Sequence, residues 1–219
     1  MRYKTIFLFL LCSFLLFNCR NQELDKYGGY YDTKLGQYIY VKPGKSSLAS
    51  NSLGIHPLKV GETQSFKARV VDVTDPDSVW IEVEDRQGYM ILSQSLGKNS
   101  KNDQFKRLRV WLQFVKPQYV TLQGKNKTAW VKNVMAGMRK LLLNKDVIAN
   151  VRYYKAGVIK GILMMNIGGG KKLNVSIWMI NQGLSLYFKE VNEENPEEGL
   201  YIRAETVAEK NSNGIWKYR

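Results

Sequence analysis

The stretch Lys172-Leu-Asn-Val-Ser-Ile-Trp-Met-Ile-Asn-Gln-Gly-Leu-Ser-Leu-Tyr187 carries its own start and stop signals. Asn174 offers a side-chain acceptor where a helix needs an N-cap, and Gly183 suits the left-handed residue that closes one. Val175 to Gln182 is therefore predicted as a short helix. Just upstream, Gly168-Gly-Gly-Lys-Lys172 reads as a tight turn after a strand at Gly161 to Ile167. It lacks both the lysine-and-serine spacing of a phosphate loop and a helix opening directly behind it. Downstream, Asn195-Pro-Glu-Glu198 predicts a last helix running to about Lys210, with Asn195 as cap, proline in the first turn and acids at the positive end of the dipole. Glu190, Glu193, Glu194, Glu197 and Glu198 read as a solvated run compensating that dipole.

Working outward, Trp130, Val131, Val134, Met135, Met138, Leu141 and Leu142 recur at helical spacing between about Lys127 and Leu143. Lys132, Arg139 and Lys140 fall on the other side, which makes an amphipathic helix with a basic face. A strand at Val147 to Tyr154 follows. Earlier, Gln64 to Val73 and Ser78 to Glu84 alternate around Thr74-Asp-Pro-Asp77, so the aspartates Asp72, Asp75 and Asp77 read as the polar tip of a hairpin. Phe105 to Val115 is a further strand. Asp85 to Gln104 holds a short apolar patch, Tyr89 to Leu92, and then a Gly/Ser/Asn/Lys loop. Arg20 to about Gly61 is polar and tyrosine-rich, a tether with one short strand whose tyrosines are expected to pack on the neighbouring domain.

The chain has 219 residues, 44% of them hydrophobic, enough for one sizeable core plus appendages. One appendage is the start. Arg2 and Lys4 precede an apolar run, Ile6 to Phe17, too short to cross a bilayer of about 30 Å but suited to a signal-peptide core. The run closes in Phe14-Leu-Leu-Phe-Asn-Cys19, which resembles a relaxed lipobox, with Asn18 where a small residue is usual. The expected organisation is a signal peptide at 1–18, a lipidated Cys19 with a tyrosine-rich tether at 19–60, and a folded domain at 61–219. The only other cysteine, Cys12, lies in the removed segment, so no disulfide is expected. Arg20 lacks the aspartate that retains some lipoproteins at the inner membrane, which points to a bacterial cell-envelope lipoprotein at the outer membrane or cell surface. The formal charge of +14 remains strongly basic once Arg2 and Lys4 are gone. Such charge attracts polyanions, whether nucleic acid, acidic polysaccharide or anionic headgroups, without reading sequence.

The order hairpin, strand, helix, two strands, two helices resembles the staphylococcal nuclease family, an α+β fold in which a five-stranded OB-type barrel carries three helices. Lys172 to Tyr187 is similar to that family's glycine-lysine turn, VN helix start and closing GLA-x-VY. Ala204-Glu-Thr-Val-Ala-Glu-Lys210 with Gly214-Ile-Trp216 is similar to its final helix and terminal GIW. Arg69-Val-Val-Asp72 through Asp77-Ser-Val79 is similar to its RVIDGDTV with two extra residues, so the resemblance covers about Gly61 to Trp216.

The resemblance implies a Ca²⁺-dependent endonuclease that cleaves phosphodiester bonds with two aspartate ligands, a glutamate base and two arginines on the phosphate. Carried over by position, only Asp77 survives as a ligand, with Asp72 or Asp75 as neighbours. Around Pro117 the second aspartate becomes Val115, the base becomes Gln118, and the first arginine falls on Val110 or Trp111; the second becomes Lys160. A positioned base contributes roughly 10²–10⁴-fold, and an amide has no useful basicity to replace it. The chain is therefore expected to be a catalytically degenerate pseudoenzyme needing no cofactor. It would bind nucleic acid or another polyanion through Lys106, Arg107, Arg109, Trp111, Lys116, Lys160, Lys171 and Lys172. Two alternatives stand beside this. One is a nuclease rearranged around a shifted acid such as Asp75, Asp85 or Asp103, with Ca²⁺ as its cofactor, and the other is a surface scaffold for a protein partner. His56 is the only histidine, which argues against histidine metal clusters and serine–histidine triads.

Overall fold

The computed structural model describes residues 24–33, 37–41, 61–116, 124–154, 157–191 and 193–218. The segment expected to be a signal peptide (1–18), Cys19, His56, Pro117 and Gln118 lie outside these described residues. Within them the chain is mixed α+β, with a large, mainly antiparallel sheet and four α-helices. The strands are β1 (Gly29–Asp32), β2 (Gln37–Tyr40), β3 (Thr63–Asp75), β4 (Ser78–Val83), β5 (Lys101–Asn102), β6 (Arg107–Leu112), β7 (Val115–Lys116), β8 (Asp146–Tyr154), β9 (Val158–Asn166), β10 (Lys172–Asn174) and β11 (Leu186–Tyr187). The helices are α1 (Arg86–Ser93), α2 (Gly124–Leu142), α3 (Val175–Asn181) and α4 (Glu198–Lys210).

Nine strands form the large sheet in the order β1-β2-β10-β9-β8-β3-β4-β6-β5. One further pairing, β6 with β9, is parallel and aligns Val110 with Ile159, Trp111 with Lys160 and Leu112 with Gly161. The ladder therefore runs from β3 through β4, β6, β9 and β8 back to β3. Alternation decides which side chains enter the core. Val70, Val79, Ile81, Leu108, Val110, Ala149, Val151, Ile159 and Leu163 are fully buried, while Arg69, Glu82, Arg107, Arg109 and Trp111 face outward. On α2, Trp130, Val134, Met138 and Leu142 recur every four residues and are buried, and Arg139 ties the helix to β3 by donating to the Val73 carbonyl at 2.9 Å.

Several expectations need correction. The strand and helix counts exceed five and three. Asp85 to Gln104 is not simply a patch and a loop: Asp85 accepts from the amides of Gln87 and Gly88 at 3.0 and 2.9 Å and caps α1, whose Tyr89 and Leu92 are buried. The strand expected over Phe105 to Val115 breaks after Leu112, where Phe114 takes a positive φ of 63°, and resumes as β7. The last helix begins at Glu198, and Asn195 instead accepts from the Glu197 amide at 3.0 Å. The N-terminal segment contributes two strands rather than one, and they join the large sheet through Tyr40 opposite Lys172.

The Asn174 and Gly183 signals hold. Asn174 accepts from the amides of Ser176 and Ile177 at 3.0 and 3.3 Å, and Gly183 has φ +64° directly behind α3. Gly183 also meets the C-terminal Gly214 turn so closely that a Cβ there would stand 2.1 Å from the Asn213 carbonyl oxygen. The Ile215 amide closes the contact by donating to the Gly183 carbonyl at 2.9 Å. The β1–β2 hairpin is held by polar contacts, one buried and one partly exposed: Tyr40 Oη donates to Glu197 Oε2 at 2.7 Å and Tyr38 Oη to Asp25 Oδ1 at 2.5 Å. Burial foremost, with Asp25 adding, raises the Glu197 carboxyl above the ordinary range against the lowering effect of the Tyr40 bond.

Gly183→Ala is expected to destabilise the chain by roughly 2–5 kcal/mol in chemical denaturation, combining left-handed strain with backbone overlap. For Glu197 the raised folded pKa means that the native state holds the proton more tightly than the unfolded one. Its contribution is thus present below the unfolded carboxylate pKa and is lost as pH rises through the folded value. The stability of Glu197→Gln relative to the native chain should therefore grow as pH rises from below the unfolded carboxylate pKa through the higher folded one, as read in denaturation series at each pH. A difference that shrank with rising pH would contradict this sign.

Candidate functional site

The parallel β6–β9 contact builds a cleft of about 270 Å³. It sets Trp111 beside Lys160, and the turn from β3 to β4 delivers Asp77, held by the Leu112 amide donating to the Asp77 carbonyl at 2.7 Å. Strand β7 adds Val115 and Lys116, and its pairing with β11 brings Phe188 and the glutamate loop across the opening. Of the residues singled out from the sequence, Asp77, Trp111, Val115, Lys116 and Lys160 meet here.

The loop's acids determine the electrostatics. Glu190 Oε1 is ion-paired with Lys160 Nζ, and Glu190 Oε2 accepts from Tyr154 Oη at 2.6 Å. The Tyr154 ring also lies under the ammonium, 4.2 Å from its centroid. Glu193 accepts from Gln113 Nε2 at 2.6 Å. The glutamates are therefore not merely a solvated run. Lys160 is an ammonium largely buried against a carboxylate, and removing either partner would leave the other charge poorly solvated. Glu190, Glu193 and Tyr154 are the residues that sequence reading missed. An acid-rich stretch in a strongly basic chain was the available signal, but acids facing solvent and acids facing a lysine look alike in sequence.

The other acids have structural duties. Asp75 Oδ2 accepts from Arg109 Nη2 at 2.5 Å, and Ser78 Oγ accepts from Arg109 Nε at 3.0 Å. Asp85 caps α1, and Asp103 accepts from Tyr89 Oη at 2.8 Å. Asp77 has its carboxyl raised above the usual range, by burial first and by Asp75 second, against its own backbone amide and Arg109. A Ca²⁺ ion takes about six to eight oxygen ligands. Asp77 beside aliphatic Val115 and ammonium-bearing Lys160 does not fit such an ion, and no group of three or more His, Cys, Asp or Glu side chains among the described residues could hold a metal.

From Trp111 at the cleft, β6 and the turn before it carry cations stacked on aromatic rings. The Arg109 guanidinium lies 4.3 Å from the Trp111 ring, that of Arg107 lies 5.0 Å from Phe105, and Lys106 lies 5.5 Å from Tyr89. On β4, Trp80 stands opposite Arg109. Lys171 and Lys172 are not part of this surface. Lys171 donates to Tyr30 Oη at 2.9 Å, and Lys172 lines a separate groove of about 510 Å³ with Lys67, Arg69, Glu82 and Asp146.

No protein-family model and no curated protein matches this chain in sequence. No helix among the described residues is long and apolar enough to cross a membrane.

Glu190→Gln removes the charge that occupies Lys160. Binding of a single-stranded oligonucleotide should tighten, and its salt dependence should steepen by about 0.7 in log K against log salt. Fluorescence anisotropy across a salt series reads both.

Proposed function

We infer that this chain is an exported, lipid-anchored, nuclease-like module of OB type that holds nucleic acid or another polyanion without hydrolysing it. The observation that carries the reading is the outward face of β6, where Arg107, Arg109 and Trp111 follow one another with Trp80 alongside on β4. Guanidinium groups laid on aromatic rings present charge for phosphate and flat faces for bases, the combination used by binders of extended strands. The circuit of pairings through β3, β4, β6, β9 and β8 supports the OB-type assignment, and with it the likeness to the staphylococcal nuclease fold.

The cleft supports the absence of hydrolysis. Val115 offers no oxygen where the resemblance requires a second ligand, and Lys160 is already engaged by Glu190. Gln118 would be no base for the attacking water.

The full chain should bind single-stranded oligonucleotide with an affinity that falls as salt rises. Replacing Lys106 and Arg107 with alanine should flatten the salt slope by roughly 0.7 for each phosphate no longer neutralised, while Arg109→Ala, whose charge Asp75 already holds, should change it less. Plasmid and RNA incubated with Ca²⁺ or Mn²⁺ should remain intact. Cleavage abolished by chelator and by Asp77→Asn would instead establish the enzyme, and protein capture that persists at high salt without oligonucleotide binding would favour the scaffold.

A further inference from the structure

The β1–β2 hairpin and α4 together expose a surface unlike the β6 face. The Lys26 ammonium lies 4.9 Å from the Tyr27 ring, the Arg203 guanidinium 4.7 Å from Tyr31, and Lys171 5.5 Å from Tyr30. Tyr27 reaches the start of α4, where its hydroxyl would stand 3.3 Å from a Cβ at Gly199. Two aliphatic side chains on these elements are exposed, Leu24 at 39% and Ile202, next to Arg203, at 50%. Of the acids at the hairpin, Asp25 accepts from Tyr38 Oη and the Tyr27 amide, and Asp32, the last residue of β1, lies close enough to Lys171 to raise its pKa. Partly exposed tyrosines, cations on flexible stems and isolated aliphatic groups are what a protein surface presents at the headgroup level of a bilayer.

Chain connectivity supplies a second, independent constraint. Leu24 is five residues beyond Cys19. A segment of that length spans at most about 17 Å. An acyl chain on Cys19 therefore brings Leu24 and Lys26 to the membrane before any other described residue. The hairpin is not a loose leash, because it is hydrogen-bonded into the large sheet and pinned by the Tyr40–Glu197 bond.

We propose that the surface formed by Leu24, Lys26, Tyr27, Tyr31, Ile202 and Arg203 lies against an anionic lipid bilayer and fixes the orientation of the sheet on it. This depends on the lipid-anchor reading above. Each cation at an anionic surface contributes through a field that fades within a Debye length, so the contact should require anionic headgroups and weaken in salt.

Hydroxyl-radical footprinting of the processed full chain on vesicles tests it, with phosphatidylglycerol/phosphatidylcholine against phosphatidylcholine alone. Oxidation of Leu24, Tyr27 and Ile202 should slow by about fivefold on the anionic vesicles, while exposed Met90 and Phe105 keep their rates. Lys26→Glu with Arg203→Glu should restore the fast rates although the protein still floats with the vesicles. Flotation without lipid-dependent protection at these three residues overturns the proposal and leaves the anchor standing, as does protection centred on Phe105. Failure to float overturns the anchor reading and this proposal together. Protection by single-stranded oligonucleotide in place of vesicles would reassign the surface to nucleic acid.

Discussion

The parallel contact between β6 and β9 is the constraint on which the rest of the structure depends. Without it the sheet would be an open ribbon from β1 to β5, and Trp111 and Lys160 would lie on strands far apart in the pairing order. Parallel pairing needs the two backbones close together, and Gly161 supplies the room: a Cβ there would stand 2.8 Å from the Asn150 carbonyl oxygen and 3.1 Å from Val110 Cγ1. The missing side chain is on the interior face, where a Cβ would crowd Val110 and Val151, so its absence lets β8, β9 and β6 approach while Val110 and Ile159 fill the same interior. The same register that fills the core sets an aromatic ring beside an ammonium on the outer face. Core packing and site geometry are thus two consequences of one alignment, and a slip of one residue would exchange both.

A strongly basic composition alone would leave the central cleft positive. Here Lys160 is ion-paired with Glu190, Glu193 adds a further carboxylate that takes a hydrogen bond from the neutral Gln113 amide, and Arg109 is held by Asp75. Charge that is already paired in a partly desolvated place has little left for a ligand, because a competing phosphate must first displace a carboxylate. The β6 face differs. Arg107 and Lys106 lie over aromatic rings, with Glu82 opposite Arg107 on β4, and a cation over a ring keeps most of its field. The separation of roles follows from which partner each cation has, not from where the cations fall in sequence.

Local signals were the ones legible in the sequence. Asn174 and Gly183 bound a helix through contacts within a few residues, and Asp75-Pro-Asp77 makes a turn by its own chemistry. The spacing of Trp130, Val134, Met138 and Leu142 gives α2 by periodicity alone. Helix α1 was hidden because it is short, contains Gly88 and takes its stability from Tyr89 and Leu92 packing beneath it rather than from propensity. The pairings of the cleft were hidden for a different reason. Lys160 and Glu190 are brought together only after β9 closes on β6 and β11 closes on β7, so no window of sequence contains their relation. Lys171 and Lys172 show the converse: two lysines beside a matched segment suggested the same surface, but the β9–β10 turn carries them to the hairpin side.

The hairpin raises a question of cost. Two strands of four residues are marginal on their own, so β1 and β2 must draw stability from what they dock on. They bury Tyr38 and Tyr40, whose hydroxyls then need acceptors, and the acceptors provided are carboxylates, Asp25 and Glu197. A carboxylate is costly to bury, as the raised Glu197 shows, and an amide could have taken the same bond more cheaply. What an ionised carboxylate adds is a stronger bond to one phenol. The Tyr40–Glu197 bond joins the hairpin to the residue just before α4, so the short β1–β2 ladder is held at a second point besides its pairing with β10.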